Sequence, residues 1–235
     1  MHMDHRALGR FGAELIVLAT ASVAASAVFG LWLYPLLDIP GAAPMPGRTL
    51  LVALLTWVLI TRRGETFRDF GLGRPAWIWV TILLALAFLA AKLFVVQPLA
   101  DVVIQALEMP AANRTVFDHV RGNPRALVAW LSAAWIVGGL GEEFIFRGYL
   151  MKRVAESLEG RAAGWALAVI VQAALFGAMH AYLGRAGVVS ATFAAMFYGL
   201  CFLLAKRSLW PVVLVHGAWD SLGFILIYLR GVPST

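Results

Sequence analysis

An all-α, polytopic transmembrane helical bundle is the fold class this sequence predicts, and three observations predict it. The 235 residues are 61% hydrophobic and only 14% charged, whereas soluble domains run near a quarter charged. The apolar residues gather into seven long runs. The connectors between them are short and polar, and they hold most of the basic residues. At about 20 apolar residues per span the length suits six to eight spans, about seven on the run count, in a single domain covering 1–235.

The first run, 12–36, follows MHMDHRALGR and is longer than the roughly 7–15 apolar residues of a cleaved signal. It reads as a retained anchor. The second, 48–61, is short, with a start at 48 or nearer Ala42, and Pro40, Pro44 and Pro46 mark a loop in its approach. TRRGETFRDFGLGRP, residues 61–75, is a polar connector ahead of the third run, 76–98. The longest connector, around 101–124, contains Pro110 and Pro124, and the remaining runs are 125–150, 163–182, 187–205 and 209–229. Cys201, the only cysteine, lies in an apolar run, so an intrachain disulfide and a thiol-only metal site are both excluded.

Loop charge sets an orientation. With a cytoplasmic N-terminus, the inner connectors hold twelve Arg and Lys residues, among them Arg62, Arg63, Lys152, Arg153 and Arg207, against six outside: Arg48, Arg114, Arg121, Arg125, Arg185 and Arg230. Trp77, Trp79, Trp165 and Trp210 then lie at inner span mouths, and Lys92 snorkels from the third span. The expected location is a prokaryotic cytoplasmic membrane. The net charge of +6, carried in these short connectors, points to anionic lipid headgroups and away from nucleic acid.

Charge inside a membrane is costly and normally faces the bundle interior with a partner. Three clusters stand out. In GGLGEEFIFRGYL, Glu143 and Arg147 are four apart and stack on one helix face. Glu142 points about 100° away, and a carboxylate left unpaired in a low-dielectric site suits general-base work. In FGAMH, Gln172, Phe176 and His180 share a face. In HGAWD, His216 and Asp220 are one turn apart and can converge on one water or one metal. Taken singly, each admits a plainer reading: a helix-end charge patch, a hydrogen-bonded core histidine, or a proton relay.

Depth argues that they meet. If the fourth helix runs through MKRVAESLEG and turns near Gly160, Glu142 is 18 residues before the turn and His180 is 20 after it, level at roughly 27–30 Å from it. Glu142 then lies roughly 15 Å beyond Lys152, and His216 roughly 14 Å beyond Arg207. One site, open to the cytosolic side, follows. Two machines fit it. In one, Glu142 takes a proton from water that His180 positions, while His216 and Asp220 stabilise an oxyanion. In the other, Glu142, His180, His216 and Asp220 ligate a metal, with zinc the fitting ion, although HExxH is absent. Both hydrolyse amides. A proton- or ion-coupled transporter and a non-catalytic immunity or scaffold protein are the alternatives.

EEFIFR, FGAMH and HGAWD resemble, in order, the three motifs of the CAAX prenyl endopeptidase and bacteriocin-processing (CPBP) intramembrane proteases, also linked with abortive-infection proteins; the resemblance covers roughly 125–229, the expected protease core. FRDFGLGRP is similar to that family's polar connector. The resemblance implies peptide-bond hydrolysis on a membrane-associated peptide or protein. It carries Glu142, Glu143 and Arg147 over from the first motif, His180 from the second, and His216 and Asp220 from the third. It leaves open whether zinc or no cofactor is used. One departure bears on mechanism: Asp220 stands where the eukaryotic prenyl proteases have asparagine. An ionised carboxylate cannot donate to an oxyanion, so Asp220 is protonated, orients His216, or ligates a metal.

Overall fold

In the computed structural model, residues 5–33, 45–75 and 77–232 are described. The main helices are α1 (His5–Ala27, continued by a wider π-helical turn to Leu33), α2 (Met45–Arg62), α3 (Ile78–Ala106), α4 (Pro124–Ser157), α5 (Ala162–Met179), α6 (Gly184–Leu204) and α7 (Trp210–Arg230). They match the seven apolar runs. Among the described residues there is no strand.

Six of these segments are long and apolar enough to cross a membrane. The remaining one, α2, has 18 residues and carries Arg48 and Arg62; six spans among the described residues lie within the six to eight expected. Pro46 lies in its first turn rather than in a loop; Pro40, Pro44 and the start near Ala42 fall outside the described residues. Large apolar side chains face outward along the bundle, such as Ile16, Leu83, Phe94, Ile170 and Leu204. An outer surface of this kind is stable in hydrocarbon and not in water.

Local chemistry sets the ends of the helices. Asn123 caps α4 by accepting from the Ala126 N–H at 3.2 Å, with Pro124 in the first turn. α4 ends in a tight turn through Glu159 and Gly160, φ 58° and 66°, so the predicted turn near Gly160 is present. α3 runs on to Ala106, further than the predicted end at 98, and the connector before α4 contains a 3₁₀ segment, Thr115–Val120.

Two departures bear on the site. α4 is π-helical over Ala134–Glu142 and Phe144–Leu150, a wider coil that a 3.6-residue reading does not foresee. Gly139 and Gly217 allow this stretch to lie against α7: a Cβ on Gly139 would stand 3.1 Å from the Val213 carbonyl, and one on Gly217 2.6 Å from the Trp135 ring. Lys92 does not snorkel. It is 1% exposed, donates to Gln97 Oε1 at 3.3 Å and lies 4.6 Å from the Trp219 ring centroid. The amine turns inward because a cation over an aromatic face and near carboxylates is better served than one in lipid.

The core is one cluster running through α4 to α7, with Phe144, Phe146, Tyr149, Phe176, Tyr198 and Phe202 at its centre. At one end of the bundle the connector after α2 is tied to α4: Glu65 accepts from Arg153 and Lys152, which in turn reach Glu156. Partial burial would push the Glu65 carboxyl up, but Arg153 and then Lys152 outweigh it and hold the group below its usual range. A smaller cluster of Phe117, Val120, Trp130 and Ile227 closes the other end.

Candidate active site

The polar side chains come from α4, α5 and α7. Glu143 and Arg147 are both fully buried and pair at 2.8 Å. The same Glu143 oxygen accepts from His216 Nδ1 at 2.6 Å. His216 Nε2 then faces Asp220 Oδ2 at 3.5 Å, too long for a strong hydrogen bond. Arg147 also donates to the Ala195 carbonyl of α6 at 3.3 Å, a carbonyl that accepts from Gln172 Nε2 at 2.7 Å as well. The result is one buried line, Arg147–Glu143–His216–Asp220, joining α4 to α7. Leaving either charge of the pair alone in such a place would cost several kcal/mol.

His180 is the residue at which α5 stops. Its Nδ1 donates to the Phe176 carbonyl at 2.8 Å, which fixes the proton there and leaves Nε2 with a lone pair. The Phe176 ring joins this histidine to the rest: its centroid is 4.6 Å from His180 and 6.2 Å from His216, and the Arg147 guanidinium lies 4.8 Å from it. Tyr198 covers His216 from the other side at 5.0 Å. Glu142 makes no hydrogen bond or ion pair among the described residues, is only part-buried, and lies within electrostatic range of His216, Asp220, Glu143 and Arg147. It is also within range of Tyr182, two residues beyond His180.

The structure therefore links five of the six predicted residues by direct contact or through the Phe176 ring, and puts Glu142 beside them with no hydrogen-bond or ion-pair partner among the described residues. The Glu143–His216 bond was not read from sequence, although the equal depths of residues 142 and 216 pointed to it. Two further residues, Gly138 and Tyr198, escaped notice, and Lys92 was noticed but read as snorkelling. Gly138 lies under Asp220, so a Cβ there would stand 2.9 Å from Oδ2 and 3.6 Å from His216 Nε2. Tyr198 has no motif to mark it. Lys92 lies within electrostatic range of Asp220, and its sign and depth were the available signal.

The segment after His180 is tied to the connector between α3 and α4. Asn113 N–H donates to the Leu183 carbonyl at 2.9 Å, and Arg48 and Arg114 are within electrostatic range of Tyr182. All belong to the end of the bundle opposite Glu65 and Arg153.

A metal held by Glu142, His180, His216 and Asp220 is poorly served by this arrangement. His216 gives Nδ1 to Glu143 and His180 gives Nδ1 to a carbonyl, so only Nε2 of each ring is left as a ligand atom. Among the described residues no three His, Cys, Asp or Glu side chains are grouped as ligands of one ion. As placed, these residues do not fit zinc, which needs three or four donors near 2.0–2.3 Å.

The fold and the site together define an all-helical integral membrane protein with a buried carboxylate–imidazole centre. Residues 124–222 match the family described as type II CAAX prenyl endopeptidase, Rce1-like, and the family recognised from the three motifs is the one found over this segment. The match supports a membrane peptidase acting on a peptide substrate. No curated protein and no solved structure gives a match.

Proposed function

We propose that this protein is an intramembrane endopeptidase in which Glu142 is the general base for hydrolysis of a peptide bond in a membrane-associated peptide or protein. The observation that carries this reading is the division of labour between adjacent carboxylates. Glu143 is bound by Arg147 and His216; Glu142 has neither bond and stands beside the same imidazole. The committed carboxylate builds the site and the uncommitted one is available to move a proton.

The step runs as follows. Glu142 accepts a proton from a water molecule that the free Nε2 of His180 helps to orient. The hydroxide adds to the substrate carbonyl carbon, and the carbonyl electron pair moves to oxygen. His216, its Nδ1–H held by Glu143, presents Nε2–H to that oxygen. Asp220 does not contact the oxyanion; it faces His216 and holds the ring in place, with Lys92 as a more distant counter-charge. The tetrahedral species collapses, the C–N bond breaks, and the amine leaves with the proton from Glu142. No step is routed through a metal.

The test is cleavage of a fluorogenic, lipid-tethered peptide by protein in liposomes. Glu142→Gln and His180→Ala are expected to lose at least about 100-fold in kcat, with melting temperature and gel-filtration profile unchanged. Full activity in either variant removes the reading. Proton flux across the liposomes that depends on His216, with no cleavage, would instead revive the transporter alternative.

A further inference from the structure

At the opposite end of the bundle from His180 lies a pocket of about 390 Å³ that the reaction does not use. It opens between the connector after α2, the ends of α4 and α6, and the start of α5. Four cations line it: Arg68, Lys152, Lys206 and Arg207. Its carboxylates are committed elsewhere. Asp69 accepts from the Thr66 N–H and hydroxyl at 2.7 and 2.8 Å, and Glu156 accepts from Arg153 at 2.9 Å. Lys152 answers to Glu65 and Glu156, but Arg68, Lys206 and Arg207 make no ion pair among the described residues. Arg68, Lys206 and Arg207 thus face one pocket without a direct ion pair among the described residues, and its four cations outnumber its two carboxylates, Asp69 and Glu156.

The way these cations are held also points to a ligand. Lys206 and Arg207 occupy consecutive left-handed positions, φ 55° and 65°, a conformation that side-chain-bearing residues adopt at a cost. The turn is pinned by Arg207 N–H to Phe202 O at 2.8 Å and by Leu209 N–H to Gly71 O at 2.9 Å. Gly71, at φ 90°, is where this turn comes closest, since a Cβ would meet the Arg207 carbonyl at 2.6 Å. The Arg207 guanidinium rests 5.2 Å from the Trp165 ring centroid. Trp165 and Trp210 lie at this same end, the latter donating to the Gly73 carbonyl at 2.7 Å, and such aromatic rings mark the headgroup level of a bilayer. A group of cations carried on a pinned turn at that level, with an aromatic wall, matches the phosphate of an anionic lipid.

We infer that this pocket is a binding site for a phosphate group, of the kind carried by an anionic phospholipid headgroup. It is independent of the proposed chemistry and stands if that chemistry fails. The test is native mass spectrometry of the purified protein with phosphatidylglycerol or with phosphatidylcholine of the same chains, and in a separate arm a thermal melt in inorganic phosphate. Wild type is expected to retain phosphatidylglycerol several-fold over phosphatidylcholine. Lys206→Gln and Arg207→Gln are each expected to lower that retention roughly fivefold, and the triple variant with Arg68→Gln further. Arg125→Gln, an exposed cation outside the pocket, is expected to change nothing. Stabilisation by inorganic phosphate that the same variants lose would show that dissolved phosphate is also taken; its absence would assign the site to lipid alone. Equal phosphatidylglycerol retention by wild type and both single variants, or an equal loss in Arg125→Gln, would overturn the inference.

Discussion

Arg147 is the residue on which the centre depends for stability. Its guanidinium is fully buried, bonded to Glu143, and packed between Phe176 and Tyr198. Removing it leaves Glu143 charged and buried with only His216 to answer it, a loss of about 3–5 kcal/mol. Arg147→Ala should therefore unfold at a clearly lower temperature in detergent, whereas Glu142→Gln, which deletes no bond among the described residues, should melt like wild type. Equal melting of Arg147→Ala and wild type would show that the buried pair contributes nothing. The contrast separates two adjacent glutamates that look alike in the sequence. The i,i+4 rule was enough to pair Glu143 with Arg147. It was not enough to show that Glu143 also holds His216, because that contact joins residues 73 positions apart, and helix periodicity is silent on which helices become neighbours.

At the scale of the element, the π-helical stretch of α4 and its glycines determine how α7 meets the site. A Cβ on Gly138 would press on Asp220 Oδ2 at 2.9 Å. Alanine itself favours a helix over glycine by about 1 kcal/mol, so Gly138→Ala should leave stability level or raised. Asp220 must still give way by a few tenths of an ångström, and His216 loses its set position. A several-fold fall in kcat, with KM and melting temperature near wild type, is the expected outcome on the liposome assay. A drop in melting temperature with kcat intact would place Gly138 among packing residues only. The apolar runs made all seven helices legible, whereas the cap by Asn123, with Pro124 in the first turn of α4, was not read and Pro124 was left in the connector. The change of helical pitch was not legible, since it answers to α7 packing against Gly139 and to Trp135 packing against Gly217, and no local propensity encodes that. Lys92 was misread for a related reason: α3 runs to Ala106 and not to 98, so the amine lies in mid-helix, and Trp219 and Asp220 come to it from α7, a neighbour only the assembled bundle reveals.

For the whole molecule, the question is what the bundle brings together around the reacting water. Equal depths along three helices predicted one site, and α4, α5 and α7 do meet through Phe176, with Glu143 and His216 in direct contact. The metal alternative used the same four residues. What separates the two readings is how far apart the donors stand, since the hydrogen bonds of both imidazoles run through Nδ1. His216 is held between Glu143 and Asp220, and His180 is tied to the carbonyl of its own helix. Gathering Glu142, His180, His216 and Asp220 around one ion would leave both Nδ1 bonds intact, but the donors, not grouped as ligands among the described residues, would have to close to about 2.0–2.3 Å of one point. Activity after dialysis against a chelator should accordingly stay within about twofold of the untreated enzyme, and metal analysis should find zinc well below one ion per chain. Loss of cleavage on chelation, recovered with one equivalent of zinc and absent in His180→Ala, would show instead that the centre rearranges around an ion, and the division of labour between Glu142 and Glu143 would then have to be redrawn.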